Sequence, residues 1–269
     1  MTVHLHYLSG CAPTPLAHYL KAVGILRVVA QQADAHARGW WRDERFTLLS
    51  TLTRDGLLDF FLSAYRPTPL IAPWNGGSGF FSNDRKDGID ALADSTAPRF
   101  EDYRAAIASG RECTATFSQS PKEGTKSQLL AEFRRRWRGP MHDWLNAAVV
   151  LGEDGDPAYP ALLGTGGNDG RLDFTNNFMQ RLAELFDCRD LRGAAQPRAA
   201  AILEAAFFDQ RERGLQSVSV GQFFPGGAGG ANSSVGFGGG PLVNSWDYVL
   251  MLEGAVAFAS GVVRRMATE

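Results

Sequence analysis

Three groups of residues in this 269-residue chain have types and spacings that bear on chemistry. They are two histidines near the start, an arginine run in the middle and three glycine-rich loops. His4 and His6 form an H-x-H on a first strand, a spacing that opens the metal site of many metal-dependent hydrolases. Such a site needs further His and Asp ligands from later strands. The remaining histidines, His18, His36 and His142, fall in segments that read as helices or helix ends. The pair therefore reads as two strand histidines on one face, and no metal is expected. Cys11, Cys113 and Cys188 lie far apart, form no C-x-x-C pair and have no evident base partner, so they read as structural thiols. Asp169 and Asp173 have acid–base chemistry in principle, but their neighbourhood reads as a turn. No catalytic residue and no cofactor follow from these groups.

The glycines are unevenly placed. Loops at 76–79, 164–170 and 221–240 hold 16 of the 30 glycines. Such clusters can aim backbone N–H groups at a phosphate or let a base lie against the chain. They can equally be tight turns or linkers. Neither nucleotide-binding motif is present: G-x-x-x-x-G-K-[ST] is absent, and residues 164–170 miss the dinucleotide fingerprint. Asn75, Gly76, Gly77 and Ser78 in the first loop, and Thr165, Gly166, Gly167 and Asn168 in the second, are the candidate contact residues. Between the loops, Lys122, Lys126, Arg134, Arg135, Arg136 and Arg138 oppose Glu123 and Glu132. Four arginines within residues 134–138 exceed what solubility needs, so Lys122, Lys126, Arg134, Arg135 and Arg138 are read as candidate phosphate contacts. A solvated helix face is the plainer reading. Trp40, Trp41 and Trp74 stand in or near loops, either anchoring the core or offering a face on which a base can stack.

These residues need a scaffold. Val3 to Leu8 alternates as a strand, with Val3, Leu5 and Tyr7 on one face and His4 and His6 on the other. Pro15 suits a helix first turn after a Thr14 cap, and the helix runs to about Gln32 with Leu16, Leu20, Val23, Leu26 and Val29 as its buried stripe. Phe46 to Thr51 reads as a second strand. Thr53 caps a helix through Tyr65 that buries Leu57, Phe60 and Phe61. Helices are expected over 85–94, 98–109, 121–138, from there to about Val150, and over 175–187, 196–209 and 244–266, with a strand over 215–224. The helix at 121–138 places Leu129, Leu130, Phe133 and Trp137 on one side. The sum is an α+β fold, helix-dominated, with a small sheet of short strands and long glycine-rich loops. Strands and helices do not alternate regularly, which excludes a doubly wound sheet.

The totals set outer limits. The formal net charge is −2, so contact with nucleic acid would have to use a local patch. No stretch of about 18 apolar residues suggests a membrane span, and the N-terminus lacks a signal-peptide pattern; a cytoplasmic protein is expected.

Three segments carry a family resemblance: the run from Gly10 to Arg27 (GCAPTPLAHYLKAVGILR), the run from Tyr65 to Phe80 (YRPTPLIAPWNGGSGF) and the run from Leu162 to Phe178 (LLGTGGNDGRLDFTNNF). Together they resemble the large subunit of the type I-G (formerly I-U) CRISPR Cascade complex, over nearly the whole chain. The resemblance implies a non-catalytic role in antiviral defence. Target double-stranded DNA would be contacted beside the guide-paired region. The partners would be guide RNA with the backbone subunits of the complex, and a recruited helicase-nuclease. Chains of that family are longer and close with a helical bundle, so residues 1–269 read as an N-terminal domain. No individual motif-reading residue is carried over from the family. A scaffold that binds protein subunits without touching DNA, and a metal-dependent hydrolase built on His4 and His6, are the alternatives.

Overall fold

The computed structural model describes residues 2–151, 157–158, 174–210, 215–229 and 239–261. Among them the chain forms an α+β fold dominated by helices, as the pattern of the sequence predicts. Strand β1 (His4–Leu8) leads into α1 (Leu16–Gln32), then β2 (Arg38–Arg42) and β3 (Arg45–Ser50). Next come α2 (Arg54–Asp59), continued by a π turn over Phe60–Ala64, then α3 (Asp87–Asp94), α4 (Glu101–Thr114), α5 (Glu123–Arg136) and α6 (Pro140–Ala148). After the two-residue strands β4 (Val150–Leu151) and β5 (Pro157–Ala158) follow α7 (Phe174–Leu185) and α8 (Ala199–Phe208). The remainder is β6 (Gln216–Ser217), the single turn α9 (Pro225–Ala228), β7 (Leu242–Val243) and α10 (Ser245–Ala255), which runs on as a 3-10 turn to Gly261.

The core is built around α10. Every residue from Ser245 to Ala255 except Asp247 is buried, so this helix is covered on all sides. It packs against α1, α7 and α8. Asn244 caps it by accepting from the Trp246 amide at 2.9 Å. The Trp246 ring lies among Phe61, Tyr65 and Phe186, and its indole N–H donates to the Ala199 carbonyl at 3.0 Å. The α1–α10 crossing is close because glycines face each other's backbones. A Cβ on Gly24 would stand 1.9 Å from the Leu250 carbonyl oxygen, and one on Gly254 would stand 1.9 Å from that of Leu20.

This crossing turns α1 relative to the stripe expected from periodicity. Leu20 and Val29 are buried as expected, but Leu16, Val23 and Leu26 are half-buried. Lys21, Ala22, Gly24, Ile25 and Val28 fill the interface instead. Thr14 does not cap the helix: Pro15 occupies the N-cap position without a side-chain hydrogen bond. The Thr53 cap is present, with its hydroxyl accepting from the Gly56 amide at 3.1 Å. Leu57, Phe60 and Phe61 are buried, as are Leu129, Leu130, Phe133 and Trp137. The strand expected over 215–224 shrinks to Gln216–Ser217, because Gly221–Phe223 turns into a 3-10 helix.

The sheet is antiparallel in the order β1-β3-β2. Trp40 and Trp41 stand in strand β2, not in a loop; Asp43 and Glu44, both at positive φ, make the hairpin turn to β3. Phe46, Leu48 and Leu8 on its inner face are buried. Trp41 also turns inward, stacking on Tyr19 of α1 at 5.5 Å between ring centroids.

Candidate nucleic-acid interface

Two of the predicted groups meet in space. Trp74, at the head of the first glycine loop, is buried against Phe133 of α5 and Trp137 just past its end, with ring centroids 6.0 and 6.3 Å away. This apolar contact seats the loop beside the basic helix. A polar contact finishes the join: Lys126 Nζ donates to Asn75 Oδ1 at 2.6 Å. The Trp137 indole donates to Ser109 Oγ, tying the end of α5 to α4.

The loop's glycines serve its own shape. Asp84 accepts from the amides of Gly77, Gly79 and Phe81 at 2.8, 2.9 and 3.1 Å. Its carboxylate fills the concavity of N–H groups that the sequence suggested for a phosphate. Gly77 and Gly79 have positive φ, and this conformation brings their amides round Asp84. Asn176, in the first turn of α7, donates from Nδ2 to the carbonyls of Gly77 (2.9 Å) and Arg85 (2.8 Å). Asn176 belongs to the third resemblance segment, so two of the three segments join at Gly77. Gly76 sits beside Ser120, whose hydroxyl would stand 3.3 Å from a Cβ there. Ser78 is a correction. It is buried, and its hydroxyl donates to the Asn75 carbonyl at 2.7 Å, so it turns into the loop rather than toward a base.

The arginine run divides by role. Arg134 is another correction. It donates to Asn146 Oδ1 at 2.9 Å and to the Val149 carbonyl at 2.6 Å, pinning the end of α6. Burial pushes its pKa below the ordinary arginine value. Arg136 bridges Glu132 at 2.5 Å and Glu112 at 2.9 Å. The Arg136 hydrogen bond holds the Glu132 carboxyl below the usual range, with Arg135 adding to the effect. Arg135 pairs with Glu132 but is 77% exposed, so this pair is weak and exchangeable with solvent or a phosphate. Arg138 is exposed and donates to the Trp137 carbonyl at 2.6 Å. Lys122 is exposed at the N-cap of α5. The cations offered outward are thus Lys122, Arg135 and Arg138. Thr165, Gly166, Gly167 and Asn168 lie outside the described residues.

The histidine and cysteine groups are engaged elsewhere. The His6 ring Nε2 is 3.0 Å from the Leu52 carbonyl, and burial lowers its pKa. Burial pushes the Cys11 thiol up to about 12 and Cys188 to about 11, which suppresses thiolate chemistry at both. No group of three metal-ligating side chains occurs among the described residues. Among them, too, no helix is long and apolar enough to cross a membrane.

The sequence did not flag two buried charges. Lys21 is buried in α1, donating to Asp247 and to the Ala206 carbonyl, each at 2.8 Å. Glu253 is enclosed in α10, held by Arg27, Tyr65 and Thr68. A charged residue facing a helix interface was the available signal, but its partner in each case lies 185 or more positions away.

No family model matches this chain, and no curated protein matches it.

Proposed function

We propose that this chain is a non-catalytic, nucleic-acid-contacting subunit of an RNA-guided antiviral surveillance complex of the type I-G kind, acting in the cytoplasm. On this reading it touches the target duplex beside the guide-paired region and supports helicase-nuclease recruitment. The observation that carries it is the joint between Asn75 and Lys126. It sets a resemblance-bearing loop against a helix whose outward cations are Lys122, Arg135 and Arg138. Arg135 stands in the last turn of α5, Arg138 just past its end and Lys122 at its start. Exposed cations of this kind suit the phosphate backbone, and their contribution to affinity falls with salt.

The test is duplex binding against salt concentration, with the Lys122→Ala, Arg135→Ala, Arg138→Ala triple variant beside the parent chain. Loss of each phosphate contact lowers the slope of log affinity against log salt by about 0.9. An unchanged affinity and slope in the triple variant removes α5 from the interface. A scaffold reading has one observation in its favour: the amides of Gly77 and Gly79 turn inward onto Asp84. Crosslinks from the loop to protein alone, in the assembled complex, would establish that second reading.

A further inference from the structure

The three-stranded sheet packs only one face on the core. Cross-strand partners in an antiparallel sheet share a face, so the register defines what the other face presents. One row is Tyr7, Thr47 and Trp40; the next is Leu5, Leu49 and Arg38; toward the hairpin follow Arg45 and Arg42. Tyr7 is 59% exposed, Trp40 39% and Leu5 50%, and all three arginines are exposed. Large rings left in water on an ordered strand are costly, and a contiguous patch of this kind marks a binding surface. Thr47, between the two rings, is buried, and its hydroxyl has no hydrogen-bond partner among the described residues. Asp43 and Glu44 form the hairpin turn. Asp43 stands 3.7 Å from Arg42, an exposed pair that is weak and exchangeable with a phosphate.

We propose that this outer sheet face binds single-stranded nucleic acid, a surface separate from α5 and independent of the duplex contact proposed there. Tyr7 and Trp40 flank the central strand on one face, their backbones about 9.5 Å apart at two strand spacings, and each exposed ring offers a surface on which a base can stack. Stacking on aromatic faces accepts any base, so binding is tolerant of sequence. The Thr47 hydroxyl is covered between the two rings, so the rings and not this group carry the contact with the bases. Arg38, Arg42 and Arg45 line the strands that carry Trp40 and Thr47, where guanidinium groups can fork onto phosphates. The tryptophan pair thus divides its labour: Trp41 anchors the sheet on α1, and Trp40 faces the ligand. The charge of the arginines and the paired rings favour a polyanion with bases over a protein partner.

The experiment titrates fluorescently labelled single-stranded DNA and RNA of mixed sequence into the chain at several salt concentrations. Tyr7→Ala and Trp40→Ala should each weaken binding roughly tenfold or more, while Trp40→Phe keeps most of it. Arg42→Ala with Arg45→Ala should flatten the salt dependence by about 0.7 per arginine. Thermal unfolding of each variant checks that the fold is retained; these side chains are exposed, so it should be. Single-strand affinity unchanged by both ring substitutions overturns the proposal. So does binding lost in the Lys122, Arg135, Arg138 variant but kept in the sheet variants, which leaves the α5 reading standing. If the chain instead dimerises and Trp40→Ala abolishes the dimer with no oligonucleotide bound, the face is a contact between copies and the proposal fails. Binding that follows the sheet variants and ignores the α5 variant supports it, whatever the duplex measurement returns.

Discussion

The Glu253 carboxylate sits 2.5 Å from the Arg27 guanidinium inside the α1–α10 crossing, with none of the glutamate exposed. Its other partners complete the shell: Tyr65 OH at 2.6 Å, the Thr68 amide at 2.9 Å and the Thr68 hydroxyl at 2.6 Å. A second Arg27 nitrogen donates to Thr68 Oγ1 at 2.9 Å. The pair therefore locks the segment after α2 to both core helices. Desolvating two charges offsets much of their attraction, so the pair's weight shows when one half is removed.

Glu253→Ala leaves a buried guanidinium without its carboxylate and should destabilise the chain by about 3–5 kcal/mol, read from urea midpoints. Arg27→Met combined with Glu253→Leu should recover a large part of that loss, because the charge leaves with its partner. A single substitution costing less than about 1 kcal/mol would contradict the enclosure described.

Gly24 and Gly254 are places where only hydrogen fits. Alanine at either position forces the helices apart against a backbone oxygen, with an expected cost of about 1–3 kcal/mol or more. Gly124, in α5, would have nothing within 4 Å of an added Cβ and gives the opposite sign. Gly124→Ala should stabilise the chain by up to about 1 kcal/mol through helix propensity. Equal effects at the three positions would refute the close crossing.

Asp84 organises the first glycine loop, so Asp84→Ala strands three amides at once and should cost at least about 2 kcal/mol. The emptied N–H concavity then becomes an anion site. Sulfate should raise the melting temperature of Asp84→Ala well beyond its effect on the parent chain. A parallel response of the two proteins to sulfate would show that the amides do not converge as described.

The sequence carried local facts well and distant ones poorly. Alternation in β1 separated Val3, Leu5 and Tyr7 from His4 and His6, and the Leu129, Leu130, Phe133, Trp137 stripe of α5 was readable from spacing alone. Strand β2 was not legible, because Arg38-Gly39-Trp40-Trp41-Arg42 has charge at both ends and no β-branched residue. Pairing with β3 makes it a strand. The arginine run looked uniform in sequence; Asn146 and Val149, 12 and 15 residues away, separate Arg134 from Arg135. Asp84 gave no local hint that it would occupy the glycine loop's amides, since an aspartate after Ser-Asn reads as an ordinary turn residue.

Asp34 gives the chain one identifiable source of acid sensitivity. Its carboxylate accepts from the Thr51 amide at 2.6 Å, the Thr51 hydroxyl at 3.0 Å and the His36 amide at 2.9 Å, tying the end of α1 to the end of β3. The Thr51 amide is the main cause of a pKa below the ordinary aspartate value, and burial opposes it. A depressed folded-state pKa means the unfolded chain takes up the proton first on acidification. The stabilisation is therefore complete above the unfolded value of about 3.9 and is lost as pH falls through the lower folded value. Asp34→Asn lacks it at every pH. The stability curves of parent and variant should lie apart at neutral pH and converge on acidification below about pH 4. Curves that remain parallel across that range would show that Asp34 contributes nothing through its charge.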